Sequence, residues 1–220
     1  MCAEAKKMKI QYLGHACFRI ISSLGTAIVC DPYNEKVGFN LPKVSCDVVT
    51  VSHRHEDHDC LEAVSGNPAV LEKEVCLAVD DVAVQSLKCW HDDKGGKLRG
   101  ENFVFCFLVD GVKVVHMGDV GELNEDLAKR LYHCDVLLLP VGGVYTVDAT
   151  GAKWYVDKIQ PKITIPMHYK SKGHNFEIDG VEKFTKLFEP AKVKFLPYET
   201  LVLEDVPQEE SVVVLERYSD

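Results

Sequence analysis

The chain has 220 residues, 46% of them hydrophobic and 27% charged, which suits one domain with a sizeable core, read here as residues 1–220 in two similar halves of roughly 1–100 and 101–220. A formal net charge of −9 argues against nucleic acid as a main partner, because phosphate backbones are bound by basic faces. A small anionic substrate stays compatible with it, since bound divalent cations invert the local field.

In the first half, short β-rich runs dominate: KIQYL at 9–13, CFRII at 17–21, TAIVCD at 26–31, DVVTVSH at 47–53 and VCLAV at 75–79. Turn signals such as SSLG and DPYN separate them. A polar loop, HDDKGGKLRG (91–100), precedes NFVFCFLVDGVKVVHMGD (102–119), two apolar runs joined at Asp110-Gly111 and therefore a predicted hairpin. The second half alternates helix and strand. LNEDLAKRLYH predicts a helix with Asn124 as its N-cap, CDVLLLPVGG a buried strand, DATGAKWYVDKI a helix capped by Asp148, and KITIPMHYK another buried strand. GVEKFTKLFEP predicts a helix stopped by Pro190, and KVKFL and TLVLEDV close the chain as strands. Two packed sheets with helices outside follow from this order.

Nine cysteines are scattered along the chain, none in a CxxC pair and most inside apolar runs, the pattern of free thiols in a reducing compartment. The N-terminal MCAEAKKMKI has no apolar signal stretch, and no 18-residue apolar run occurs. These features predict a cytoplasmic protein without a membrane span.

Four apolar runs end in a side chain able to bind or orient a metal: AIVC at Asp31, VVTVS at His53, VKVVHMG at Asp119 and ITIPM at His168. Strand ends are rigid supports for a site. The segment SHRHEDHD (52–59) packs three histidines and two aspartates into eight residues. On an extended backbone His53, His55 and Asp57 share one face, and two imidazoles at that spacing suit one zinc ion. If the chain turns into a helix near Asp57, then Asp57 and His58 aim at a second ion. The helical HExxH zinc signature is absent, and a solvated histidine-rich turn is the alternative. His91 is the natural third ligand beside His53 and His55, and His168 the partner of Asp57 and His58. Asp119 is placed to bridge. Taken alone, His91 also reads as a loop histidine and His168 as a satisfied strand-end histidine.

HRHEDH fits the HxHxDH motif of the metallo-β-lactamase fold, and the later single His, Asp and His follow that family's order. LGHACF, CDPY, HDDKGGKLRG, HMGD, LLPVGG and IPMHYK resemble its small Zn-dependent hydrolase branch, related to bacterial lactonases and lipid phosphodiesterases. The resemblance spans residues 10 to about 170. It implies an α/β fold, a four-layer αββα sandwich of two mixed β-sheets with outer helices. It also implies a two-metal site: His53, His55 and His91 on one ion, Asp57, His58 and His168 on the other, Asp119 bridging. Members with iron and a flavin domain carry glutamate where His55 stands, and the helical C-terminal domain of glyoxalase-type thioester hydrolases has no room here.

The implied function is a metal-dependent hydrolase with two divalent ions, zinc in the first reading and Mn²⁺ or Fe²⁺ as the alternatives. Two ions roughly 3.5–4 Å apart share a hydroxide that cleaves an ester, lactone or phosphodiester in a small molecule. Asp57 and Asp119 are the catalytic carboxylates. His15, His116, Tyr145 and Lys170 are candidate substrate contacts. Asp31 is either a carboxylate that orients a liganding imidazole or a turn cap before Pro32. His133 and His174 read as surface residues. The competing function is a non-hydrolytic iron or manganese sensor or redox protein, and a nucleic-acid phosphodiesterase is disfavoured by the acidic charge.

Overall fold

Alternating and fully apolar runs make this chain mostly β. In the computed structural model, which describes residues 7–218, the first half contributes β1 (Met8–Gly14), β2 (Cys17–Ile21), β3 (Ala27–Cys30), β4 (Val44–Ser45), β5 (Val48–Thr50), β6 (Val64–Ser65), β7 (Ala69–Leu71), β8 (Cys76–Val79) and β9 (Val82–Trp90). The hairpin β10 (Glu101–Val109) and β11 (Val112–His116) follows, turning at Asp110-Gly111 as predicted. Then come α1 (Glu125–Leu131), β12 (Val136–Pro140), α2 (Ala149–Ile159), β13 (Ile163–Met167), α3 (Glu182–Thr185), β14 (Val193–Leu196), β15 (Thr200–Leu203) and β16 (Ser211–Leu215).

Two mixed sheets pack face to face. One has the order β15-β1-β2-β3-β5-β7 and the other β14-β16-β13-β12-β11-β10-β9-β8. The continuous apolar run of β12 is buried at every position, between parallel neighbours β11 and β13, as expected for a strand covered on both faces. Ile10, Phe18, Ile20 and Ile28 of the first sheet share one core with Val104, Phe105, Val114 and Leu138 of the second. Asn124 and Asp148 cap α1 and α2 by accepting from Leu127 N and Gly151 N, the N-cap geometry the sequence predicts.

The helices are few and belong to the second half. Over the outer face of the first sheet, Tyr33, Val37, Val44 and Cys46 bury against Leu13, Val29 and Val49 from loops, a 3₁₀ turn and the short strand β4, and no α-helix lies there among the described residues. The predicted helix in GVEKFTKLFEP is a single turn, α3, followed by turns up to Pro190. Burial of Val181, Phe184 and Thr185 anchors that turn, while the segment beyond is mostly exposed. The eight cysteines among the described residues are all free; Cys2 lies outside them. Among the described residues no helix is long and apolar enough to cross a membrane.

Leu138 is fully buried at the centre of β12. Leu138→Ala should lower the unfolding free energy by about 2–5 kcal/mol, measured by urea denaturation. A loss under about 1 kcal/mol would be incompatible with this packing.

Candidate metal centre

Within the first sheet β1, β3 and β5 run in the same direction, and within the second so do β9, β11, β12 and β13. The residues just beyond their C-terminal ends supply the site: His15 after β1, Asp31 after β3, the 52–58 turn after β5, His91 after β9, Asp119 after β11 and His168 after β13. His15, Asp31 and His168 have φ of 55°, 48° and 50°. A left-handed backbone at a non-glycine residue is strained; here it turns the chain sharply at the moment the strand reaches the site. Segment 52–58 is a tight turn rather than an extended strand or a helix start, so the alternation and helix expected there are both replaced. His58 N donates to His55 O at 2.8 Å, closing the turn, and this folds His53, His55, Asp57 and His58 back toward one another.

The seven dispersed side chains meet. Asp119 Oδ2 lies 3.2 Å from His168 Nε2, 3.3 Å from His58 Nε2, 3.6 Å from His91 Nε2 and 4.0 Å from His53 Nε2. Asp57 Oδ2 lies 3.5 Å from His58 Nε2. Ring centroids of His53 and His91 are 4.5 Å apart, and those of His55 and His91 5.1 Å. Three candidate donor groups result: His53, His55 and His91; Asp57, His58 and His168 together with His15; and Asp31 with His53 and His58.

Neighbouring hydrogen bonds fix where each donor points. Asp31, fully buried, accepts from Ser52 N (2.8 Å), Ser52 Oγ (2.5 Å) and His58 Nδ1 (2.8 Å). With its hydroxyl proton given to Asp31, Ser52 Oγ accepts from His53 Nδ1 at 2.9 Å. The Nε2 atoms of His53 and His58 therefore face inward. Asp119 N donates to Asn102 Oδ1 (2.9 Å), and Asn102 Nδ2 donates to Met117 O (2.9 Å), so one buried amide holds the Asp119 loop. Gly118 (φ +54°) leaves no space for a side chain between Asn102 and Ser52, and a Cβ at Gly121 would collide with the His91 backbone.

A third chain of contacts starts at a backbone donor. Phe176 N donates to His174 Nδ1 (3.2 Å), His174 Nε2 faces His15 Nδ1 (3.0 Å), and His15 Nε2 faces Asp57 Oδ2 (3.1 Å). Because the amide can only donate, His174 carries its proton on Nε2 and His15 carries its own on Nε2, and the run ends as a donor to Asp57.

Charges follow this arrangement. Burial opposes charge on His58, but Asp119, Asp57 and Asp31 outweigh it and raise its pKa well above the ordinary imidazole value. Burial also opposes charge on Asp57 and Asp119, yet His58 and His15 hold Asp57 far below the carboxylate range, and His168 and His58 do the same to Asp119. Burial lowers His53 and His91, keeping them neutral lone-pair donors.

Other expected contacts fall elsewhere. Both ring nitrogens of His116 are used by backbone, at Ala16 O (2.7 Å) and Gly118 N (3.2 Å), so it is a fully buried core histidine away from the cavity. Lys170 Nζ donates to Phe176 O and Glu177 Oε1, both at 2.8 Å, and braces a loop. Tyr145 does line the cavity above the centre, a space of about 380 Å³ with His55, Asp57, His91, Arg99, Asp119 and Phe176. His15 sits beneath Asp57 rather than in the cavity wall. His174, expected on the surface, is buried, because the loop after Lys170 folds it onto His15; His133 is exposed. Sequence reading missed Ser52, Asn102 and Asp92, polar residues whose burial no local pattern announces.

The family model described as "Beta-lactamase superfamily domain" matches residues 9–168. A "UPF0173 metal-dependent hydrolase" of Archaeoglobus fulgidus is 30% identical over 89% of this chain and 96% of its own. The chain belongs to the metallo-β-lactamase superfamily. Within the superfamily its relatives are of the UPF0173 family, among them a UPF0173 protein of Pyrococcus furiosus, 31% identical over 87% of this chain and 98% of its own. The crystal structure of a candidate Zn-dependent hydrolase of the superfamily from Thermotoga maritima is 36% identical and superposes with a TM-score of 0.82, covering 96% of this chain and 100% of that one.

A pH dependence follows. Burial holds His15 at about 3 and His174 at about 4, against about 6.5 in an unfolded chain. Between those values the unfolded chain takes up protons that the folded one refuses, so stability is lost as pH falls below about 6.5. The stabilisation from the raised His58 grows as pH falls toward 6.5 and is constant below it. Thermal melts of chelator-treated protein should show Tm falling from pH 6.5 to 4.5; a flat or rising Tm would contradict the buried neutral pair.

Proposed function

We propose that this chain is a dinuclear zinc hydrolase that cleaves an ester, lactone or phosphodiester bond in a small molecule, and that it works in the cytoplasm, where its free thiols stay reduced. The observation that carries the reading concerns unpartnered atoms. Among the described residues, ten buried side-chain nitrogens and oxygens have no hydrogen-bond partner, and six of them belong to His53, His58, His91, His168 and Asp119. Buried polar atoms are rarely left so, and imidazole nitrogens with a carboxylate oxygen are a donor set suited to zinc.

His53, His55 and His91 would hold one ion, and Asp57, His58 and His168 the other, with Asp119 between them. His15 is not counted as a ligand although it falls in the second group, because its Nε2 donates to Asp57 and its Nδ1 accepts from His174. Asp31 is excluded likewise, its oxygens being taken by Ser52 and His58. Two zinc ions supply a water acidic enough to act as hydroxide near neutral pH and polarise the substrate oxygen. Asp57, the more exposed of the two carboxylates, is oriented from below by His15 and accepts a hydrogen bond from the attacking water. Asp31 and Ser52 keep the His58 and His53 lone pairs inward, so the donors need no reorganisation.

Metal analysis should find two zinc ions per chain. His168→Ala should keep one and lose at least about a hundredfold in activity on a panel of lactone, ester and phosphodiester substrates; equal turnover by variant and wild type would sink the mechanism. Asp31→Asn, which touches no ion, should weaken metal binding or activity by about 10–100-fold. The same zinc titration checks it, and wild-type affinity with wild-type turnover is the contrary result.

A further inference from the structure

The cavity over the proposed metal centre has one cationic wall. Its floor is formed by His55, Asp57, His91 and Asp119 and its sides by Arg99, Tyr145 and Phe176. Arg99 and His55 also line a second cavity of about 510 Å³ next to it, so the guanidinium stands at the divide between the two. The carboxylates on the floor are already committed to imidazoles. Arg54, the other arginine of this region, is paired with Glu72 and Asp59. Arg99 has no ion-pair partner among the described residues; its Nη2 donates to the neutral Val144 carbonyl at 3.2 Å, and its guanidinium lies 5.5 Å from the Tyr145 ring centroid. Most of its donors are left for something in the cavity.

The chain also fixes where that cation stands. Asp92, almost fully buried, accepts four backbone N–H bonds from its own loop: Lys94 (2.8 Å) and Gly96 (2.9 Å) on one oxygen, Leu98 (2.9 Å) and Arg99 (2.7 Å) on the other. His91 N donates to Gly100 O at 3.1 Å, closing the loop. One carboxylate thus holds the backbone of Arg99 in fixed relation to His91. Beside the guanidinium Tyr145 packs on Phe176 with ring centroids 6.0 Å apart, and Lys170 pins the Phe176 carbonyl.

We propose that Arg99 determines substrate specificity, and that the substrate carries an oxyanion, carboxylate or phosphate, beside the cleaved bond, with a flat or apolar portion against Tyr145 and Phe176. A planar guanidinium offers paired donors that match either oxyanion. Two bound dications would outweigh the two carboxylates beneath them, which would add to the Arg99 charge and draw anions into the cavity of an acidic protein. The placement of the anion next to the scissile bond rests on the hydrolase reading; the anion contact at Arg99 does not.

The test separates the two. Benzoate and phenylphosphonate, a carboxylate and a phosphate mimic each with a flat apolar part, are titrated calorimetrically into the full-length protein with and without zinc. Wild type should bind at least one of them, and Arg99→Gln should bind it at least about tenfold more weakly. Arg99→Lys, which keeps the charge without the fork, should fall between. The Asp92 bonds go to the Arg99 backbone, so the loop survives either change. In parallel, the ratio of kcat/KM for mono-p-nitrophenyl succinate over p-nitrophenyl butyrate should fall at least about tenfold in Arg99→Gln. Equal anion binding by wild type and Arg99→Gln, no binding by wild type, or an unchanged ratio overturns the proposal. Protein that binds no zinc and turns over neither ester, yet binds the anions through Arg99, would instead overturn the hydrolase reading and keep the anion site.

Discussion

A buried carboxylate surrounded by imidazoles is the constraint from which the rest of this structure follows. Asp119 is 1% exposed, with four imidazole Nε2 atoms within 4.0 Å of one of its oxygens. Removing such groups from water is expensive unless each is paired or ligated. On the far side of two of the four rings the chain compensates: Asp31 and Ser52 engage the Nδ1 atoms of His58 and His53. The near side is left to inward lone pairs and to Asp119 itself. Ring nitrogens left without a hydrogen-bond partner on all four histidines, and one such oxygen on Asp119, separate this cluster from an ordinary buried salt-bridge network.

Support for the cluster is drawn from both sheets, which is why the sandwich matters to the chemistry. His15, Asp31 and the 52–58 turn come from the first sheet, and His91, Asp119 and His168 from the second. Cross-sheet bonds tie the two sets: His168 N donates to His15 O (2.8 Å), and Phe103 N donates to Ser52 O (2.8 Å). A shift of one sheet against the other would disperse the donors, so the shared apolar core and the site stabilise the same arrangement.

Much of this was legible in sequence because the signals were local. Asp31, Asp119 and His168 follow apolar runs, and a strand that ends in a charged or imidazole side chain marks a sheet edge. The hairpin at Asp110-Gly111 and the caps Asn124 and Asp148 were equally local. The 52–58 turn was misread as extended, since its closure depends on a backbone bond from His58 to His55 that no side-chain pattern encodes. His174 sits in a polar stretch, SKGHNF, with nothing nearby to suggest burial; only the tertiary meeting with His15 gives it a role. Lys170 and His116 lie beside motif residues in sequence, but the alternation of side chains and the local turns direct them to backbone carbonyls instead of the cavity. The predicted helix after Gly180 is one turn, with Val181, Phe184 and Thr185 buried and, beyond it, Phe188 alone packed against the core.

The walls of the cavity show the same economy as its floor. Arg99 and Phe176 lie on loops, which are ordinarily mobile, yet each loop is closed by a buried or braced polar group: Asp92 beneath residues 94–99 and Lys170 against Phe176. Preorganised walls cost less on binding than walls that must order around a ligand. They also discriminate more sharply, because a rigid cation rejects a substrate that lacks its counter-charge instead of turning away from it. The loop HDDKGGKLRG therefore joins two functions in one short segment: His91 at its start belongs to the donor cluster, and Arg99 near its end faces whatever approaches that cluster. Coupling their backbones through a single carboxylate keeps the donor cluster and the base of the Arg99 side chain at a constant separation, the geometric condition that the proposed recognition of a charge at a set distance from the cleaved bond requires.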